Sequence, residues 1–226
     1  MKIRTALLGV FAAAFLGACA TKPQLPVAMA ADTLNAKTGR VGVALGETRP
    51  DLYLPGADCL LCLGAATIAN SSLNSYSKTL KDDDILALKS EIVDALKKKG
   101  VEASAVDGNV NFGELADLKL GPNMASKDFH RYADRYDHLV VIDVRQYGFE
   151  RTYASYIPTS APKAVFRGAA YMVDLKSNAY EWYDVVAIAK AADGQWDEGP
   201  AFPGLTNAYY QAVEQGKDQL KKPFLN

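Results

Sequence analysis

Histidine and cysteine are scarce in this chain, with two and three copies in 226 residues. His130 and His138 lie eight positions apart, and neither stands at ligand spacing from a cysteine, so no metal-binding pattern is present. Surface or loop positions suit both histidines better than acid–base roles, which need a positioned partner. No serine sits in a strand–turn–helix elbow, and no glycine run has the form of a phosphate-cradling loop. The sequence therefore supplies no catalytic residue and implies no cofactor and no metal. Charge of one sign is missing too. The 25 basic and 26 acidic residues give a net charge of −1, or −3 without Lys2 and Arg4. With no basic cluster, a nucleic-acid partner is not expected. Beyond the first eighteen residues no apolar run approaches the ~20 residues that span about 30 Å of hydrocarbon.

What is present at the start has a recognisable layout. Lys2 and Arg4 form a short positive zone, Ala6 to Leu16 an apolar run broken only by Gly9, and Gly17-Ala18 a small pair before Cys19. Charge, short apolar stretch and small residues are the parts of a secretory signal peptide. The string Leu16-Gly17-Ala18-Cys19 resembles the lipobox of bacterial lipoproteins. That resemblance implies removal of residues 1–18, acyl chains such as palmitate on Cys19, and membrane lipid as a partner through that anchor. Two or three chains hold firmly where one alone is marginal, since each buried methylene contributes about 0.8 kcal/mol. Ala20, rather than aspartate, after the cysteine implies the periplasmic face of the outer membrane.

The 226 residues less the first 18 leave 208, enough for one domain with its own core. Residues 19–38 carry prolines and small residues without a period and read as a lipidated N-terminus and tether; residues 39–226 read as a single α/β periplasmic domain. Val41 to Leu45 suits a buried strand, residues 47–58 a loop, and residues 60–80 a helix of weak pattern. The clearest segment follows. Asp82, Asp83 and Asp84 stand where a helix start favours negative charge, and Lys97 to Lys99 where its end favours positive charge. Ile85, Leu88, Ile92 and Leu96 share one face, and Gly100 is placed to end the helix. A strand at 101–106 completes a βαβ start with a parallel pair. Residues 107–124 read as a long loop, and Ser126 caps a short helix to about Arg135. A central strand begins at Leu139 and extends through Tyr147 and Phe149 towards Tyr153, after which residues 157–162 read as a turn. Strands at 164–175 and 180–190 form an antiparallel hairpin across Lys176 to Ala179. A loop over 194–203 and a helix over 205–221 close the chain. The fold class expected is α/β, a mixed β-sheet with helices packed on it.

Four features carry candidate chemistry or recognition. Cys59 and Cys62, an even pair in an oxidising compartment, read as a disulfide; the same spacing at a helix start also suits a thiol–disulfide redox protein. Asp143 and Arg145 fall on one strand face, as an ion pair or a polar pocket wall. The run at residues 82–84 reads as a solvated helix start rather than a cation site. Tyr147, Phe149, Arg151 and Tyr153 share one parity. Aromatics and arginine are enriched at interface centres, which makes them a possible partner surface. The alternative is packing beneath the C-terminal helix or against Trp182 and Tyr183.

After residue 80 the order of elements resembles a group of envelope lipoproteins: the curli-secretion lipoprotein, the activators of peptidoglycan synthases (penicillin-binding-protein activators) and Tol-type relatives. The residues that carry this are Asp137-His138-Leu139-Val140-Val141, the Val173-Asp174-Leu175-Lys176-Ser177 hairpin and Glu181-Trp182. The resemblance implies a non-catalytic binding, scaffold or assembly role in the cell envelope, with an envelope protein partner or self-association. Besides the redox alternative, a small-ligand-binding lipoprotein is a third reading, with the apolar segment 52–66 as a pocket wall.

Overall fold

A computed structural model describes residues 23–119 and 121–225; the signal-like stretch, Cys19 and Ala20 lie outside the described residues. The observed class is α/β, with a mixed sheet and four α-helices among the described residues. Strands β1 (Arg40–Leu45), β2 (Asp51–Tyr53), β3 (Glu102–Ala105), β4 (His138–Glu150), β7 (Lys163–Asp174) and β8 (Ala179–Ala191) form one six-stranded sheet. Its order is β3-β1-β4-β7-β8, with β2 beside β4 beyond the end of β1. The β1–β3, β1–β4 and β2–β4 pairs are parallel, and β4–β7–β8 is an antiparallel meander. A small hairpin, β5 (Tyr153–Ala154) and β6 (Ile157–Pro158), follows β4. The helices are α1 (Leu60–Ala69), α2 (Ser71–Ser77), α3 (Asp83–Lys98) and α4 (Pro203–Leu225).

Helix α3 behaves as its pattern requires: Ile85, Leu88, Ile92 and Leu96 are fully buried. Gly100, at φ +80°, ends it in a conformation that glycine adopts without a Cβ penalty. Helices α3 and α4 cover one sheet face. Its core joins Val41, Val43, Val140, Ile142, Phe166, Trp182 and Tyr209. Among the described residues no α-helix covers the other face. Residues 106–136 lie over it instead, contributing Val106, Val110, Leu115, Phe129, Tyr132 and Tyr136 to a second core. The segment that reads as a loop is thus a structural layer.

Four readings are refined. Residues 47–58 contain β2, which β4 recruits as a ladder partner although three residues carry little pattern of their own. Residues 60–80 break at Asn70, whose side chain donates to Ala66 O at 2.7 Å. The short helix expected from Ser126 to Arg135 is only a 3-10 turn at His130–Tyr132. Asn178 donates to Ala125 O and Lys127 O at 3.0 and 2.9 Å, so these carbonyls are engaged outside any helical ladder. Residues 23–38, read as part of the tether, lie on the domain from Gln24 onward. Val27 exchanges both backbone hydrogen bonds with Tyr183, at 2.8 and 3.0 Å.

Glu150 ends β4 almost fully buried, held by Arg167 Nη2 at 3.1 Å and Lys163 Nζ at 3.3 Å. The Arg167 guanidinium, hydrogen-bonded to the carboxylate, holds it below the usual carboxylate range. A depressed folded pKa contributes stability that is present above the unfolded value, about 4.3, and lost as pH falls through the folded one. Glu150→Gln should therefore lower stability by about 2 kcal/mol at pH 7. The difference from the parent chain, read by urea unfolding, should shrink as pH drops below about 4.

Candidate functional site

The end of the domain where β4 stops is built to hold one short helix outward. From β2 the chain turns through Pro55-Gly56, whose backbone meets the small hairpin: Tyr153 N–H donates to Pro55 O at 2.8 Å and Ser155 N–H to Gly56 O at 3.0 Å. Cys59 then caps α1 with its sulfur accepting from Cys62 N–H at 2.9 Å, and the two cysteines are disulfide-bonded as the sequence suggests. Cys59 is exposed and Cys62 buried. Of α1 only Cys62 and Ala66 are buried, one helical turn apart, packed with Ala57 and Tyr153. That narrow contact leaves the rest of an uncharged helix in water. Leu60 is 87% exposed, Leu61 75% and Ile68 77%. The patch continues onto the hairpin, where Cys59 Sγ lies 3.8 Å from Tyr156 Oη and Tyr156 and Ile157 are exposed.

Polar groups beneath α1 mount it rigidly. Buried Asn70 donates to Tyr153 Oη at 2.6 Å and accepts from Arg151 Nη1 at 2.9 Å. Arg151 also donates to Ser160 O at 3.2 Å and lies over the Trp196 ring at 4.9 Å.

The possible partner surface is corrected accordingly. Tyr147 and Phe149 are 0% exposed and Tyr153 is buried. A β-bulge at Arg145 turns Tyr147 and Phe149 towards the helix face. They pack under α4, with ring centroids 6.4 and 6.2 Å from Tyr209. Core packing beneath the C-terminal helix, the other reading of this stretch, is what the fold uses. Tyr147 Oη is buried without a hydrogen-bond partner among the described residues. Arg151 and Tyr153 are mounts for α1 rather than contact residues.

The remaining candidates fall in ordinary places. Arg145 Nε donates to Asp143 Oδ2 at 2.7 Å, an ion pair. Asp83 and Asp84 form the first turn of α3, after Asp82. His130 pairs with Asp128 at 2.6 Å on the surface. His138 Nδ1 lies 2.7 Å from Glu181 Oε2, and this carboxylate raises the imidazole pKa. Segment 52–66 lines neither of the two clefts described here. One, of about 270 Å³, is bounded by Glu47, Asp107, Glu114, Arg131 and Arg135. The other, of about 400 Å³, is bounded by Asn70, Leu73, Trp196, Pro200 and Phe202. Sequence reasoning missed the exposure of α1; its one available signal was a charge-free LLCLGAATIA segment in a chain that is otherwise 23% charged.

The architecture defined here, a six-stranded mixed sheet with helices on one face, was compared with known proteins. No protein-family model matches the chain, and no curated protein matches it in sequence. Among solved structures it is similar to a PelC dodecamer subunit from Paraburkholderia phytofirmans, at 8% identity and a TM-score of 0.41, over 89% of this chain and 96% of that one. It is also similar to a DUF330 protein from Xanthomonas campestris (15% identity, TM-score 0.40, 88% and 90% covered). A lipoprotein from Neisseria meningitidis matches at 14% identity and a TM-score of 0.27, with 78% and 95% covered. At such scores the likeness is one of architecture and carries no function across. Among the described residues no helix is long and apolar enough to cross a membrane.

Proposed function

We propose that this chain is a lipid-anchored component of the bacterial cell envelope that works by binding, and that the apolar helix α1 is its contact with a protein partner. The exposure of Leu60, Leu61, Leu63 and Ile68 on a rigidly mounted helix carries this reading. Contiguous exposed apolar patches mark interaction sites, and a partner groove that takes an apolar helix is a common mode of recognition. Burying each such leucine is worth roughly 1.5–3 kcal/mol, so three or four suffice for specific binding. In this reading the Cys59–Cys62 bridge is structural, fixing the first turn of the contact helix. With acyl chains on Cys19, only seven residues, or eight Cα–Cα steps, separate the anchor from Val27, which is hydrogen-bonded to Tyr183. Fully extended they reach no more than about 28 Å, so the domain works against its membrane.

A photo-crosslinking residue placed at position 61 should yield a discrete adduct with another envelope protein in cells, where the same residue at position 98 does not. Leu60→Asp with Leu61→Asp should cut a second adduct, formed from position 156, at least tenfold. The melting temperature should move by no more than about 2 °C, as expected of exposed positions. The reduction potential of the cysteine pair should lie below about −300 mV. Adducts to lipid alone, or none, would show that α1 is not a protein contact.

A further inference from the structure

At the opposite end of β4, three side chains distant in sequence converge. His138 stands directly opposite Asp174 in the β4–β7 ladder. Glu181 is the extra residue of a β-bulge in β8, where Met172 pairs with Trp182 but Val173 pairs with Tyr180. Trp182 and Met172 face the helix side of the sheet, while Tyr180 and Val173 face the other. The inserted residue is not bound to the strict alternation, and its carboxylate reaches the His138 ring. Bulges are found where a strand must re-aim a side chain beside a site. One ligand atom from each of His138, Asp174 and Glu181 lies within 4.8 Å of the others, and all three residues are half-buried.

We propose that His138, Asp174 and Glu181 bind a divalent transition-metal ion of the zinc class. One imidazole and two carboxylates offset a double charge and leave a position for water or a further ligand, as in three-ligand zinc sites. The imidazole favours zinc-like ions over calcium or magnesium, which take oxygen donors. Ligands at about 2.0–2.2 Å in tetrahedral array lie roughly 3.4 Å apart, so side-chain shifts on the order of 1 Å close the site. A supporting shell is in place. Ser177 donates its N–H and its hydroxyl to Asp174 Oδ1 at 2.7 and 2.6 Å, fixing that carboxylate. Neighbouring Asp137 is committed to Arg40 at 3.0 Å and does not compete. Such outer hydrogen bonds orient metal ligands and raise affinity. The ion would clamp β4, β7 and β8 at their shared end, beside the Val27 contact with Tyr183.

The test uses the untagged full chain in detergent, stripped with a chelator and titrated with Zn²⁺ by calorimetry and with Co²⁺ by visible absorption. One equivalent of Zn²⁺ should bind, with a melting temperature raised roughly 5–10 °C at a hundredfold excess over Kd. Co²⁺ should give the intense bands of a low-coordinate site. His138→Gln and Glu181→Gln should each abolish binding, Ser177→Ala should weaken it about 10–100-fold, and His130→Gln should leave it unchanged. Absence of Zn²⁺ uptake by the parent chain overturns the proposal whatever the variants do. Uptake that survives both His138→Gln and Glu181→Gln overturns it as well, as does Ca²⁺ binding of equal strength.

Discussion

Cys19→Ser should remove the protein from the membrane. In a chain exported by an ordinary signal peptide cut before Ala20, the domain should be recovered almost wholly in the soluble periplasmic fraction. The parent chain should sediment with membranes and take up labelled palmitate. The expected effect is large because, on the proposed anchor, two or three acyl chains would act together. A single chain binds reversibly and marginally, and each added one contributes about 0.8 kcal/mol for every buried methylene. Among the described residues nothing would replace them. The described residues hold no membrane-crossing helix, and the exposed apolar surface of α1 is one short helix with a few leucines. Palmitate label that persists in Cys19→Ser, or membrane retention of the separately exported domain, would sink the anchor. Retention that is lost only when Leu60 and Leu61 are also changed would instead assign α1 to lipid.

Gly148→Val should be the most damaging of single substitutions in the sheet. Gly148 sits at φ +128° within β4, a conformation that a β-branched residue adopts only under strain. A Cβ there would lie 2.2 Å from Asp51 O and 2.7 Å from Asp51 N, both backbone atoms of the paired strand β2. Neither can rotate away as a side chain would. Backbone strain of about 1–3 kcal/mol adds to overpacking of about 1–3 kcal/mol. The melting temperature should fall by roughly 10 °C. Because β2 leads directly into the Pro55-Gly56 turn and α1, partner crosslinking from position 61 should fall with it, even at temperatures where the variant is folded. A shift below about 2 °C would mean that the β2–β4 contact constrains nothing.

Much of the frame is legible in the chain itself. Helix α3 is written in its charges, its period and Gly100, so local rules alone place it within a residue of the structure. The β7–β8 hairpin and the parallel β1–β3 pair follow from alternation, turn chemistry and the helix between them. The disulfide follows from an even pair of cysteines. Apart from the β1–β3 pair, which follows from the handedness rule for a strand–helix–strand unit, these features depend on near neighbours, where spacing in sequence is spacing in space.

What tertiary structure alone decided are the relations between distant segments. The bulge at Arg145 settles which way Tyr147 and Phe149 face, and a one-residue insertion reverses every side chain after it. A partner-surface reading of those aromatics therefore became a core one, while Arg151 and Tyr153 became supports for α1. Residues 107–124 look like a loop because they lack a period, yet with the segment after them they supply the layer over a whole sheet face. The convergence of His138, Asp174 and Glu181 depends on pairing between β4 and β7 and on the bulge in β8, neither of which leaves a local mark. By itself the sequence determined helix α3, the C-terminal helix, the long strands, the disulfide and the expectation of a Cys19 anchor, through charge, periodicity and residue type. Which side chains the sheet gathers, and which apolar ones it leaves in water, was decided only by the long-range register of the strands.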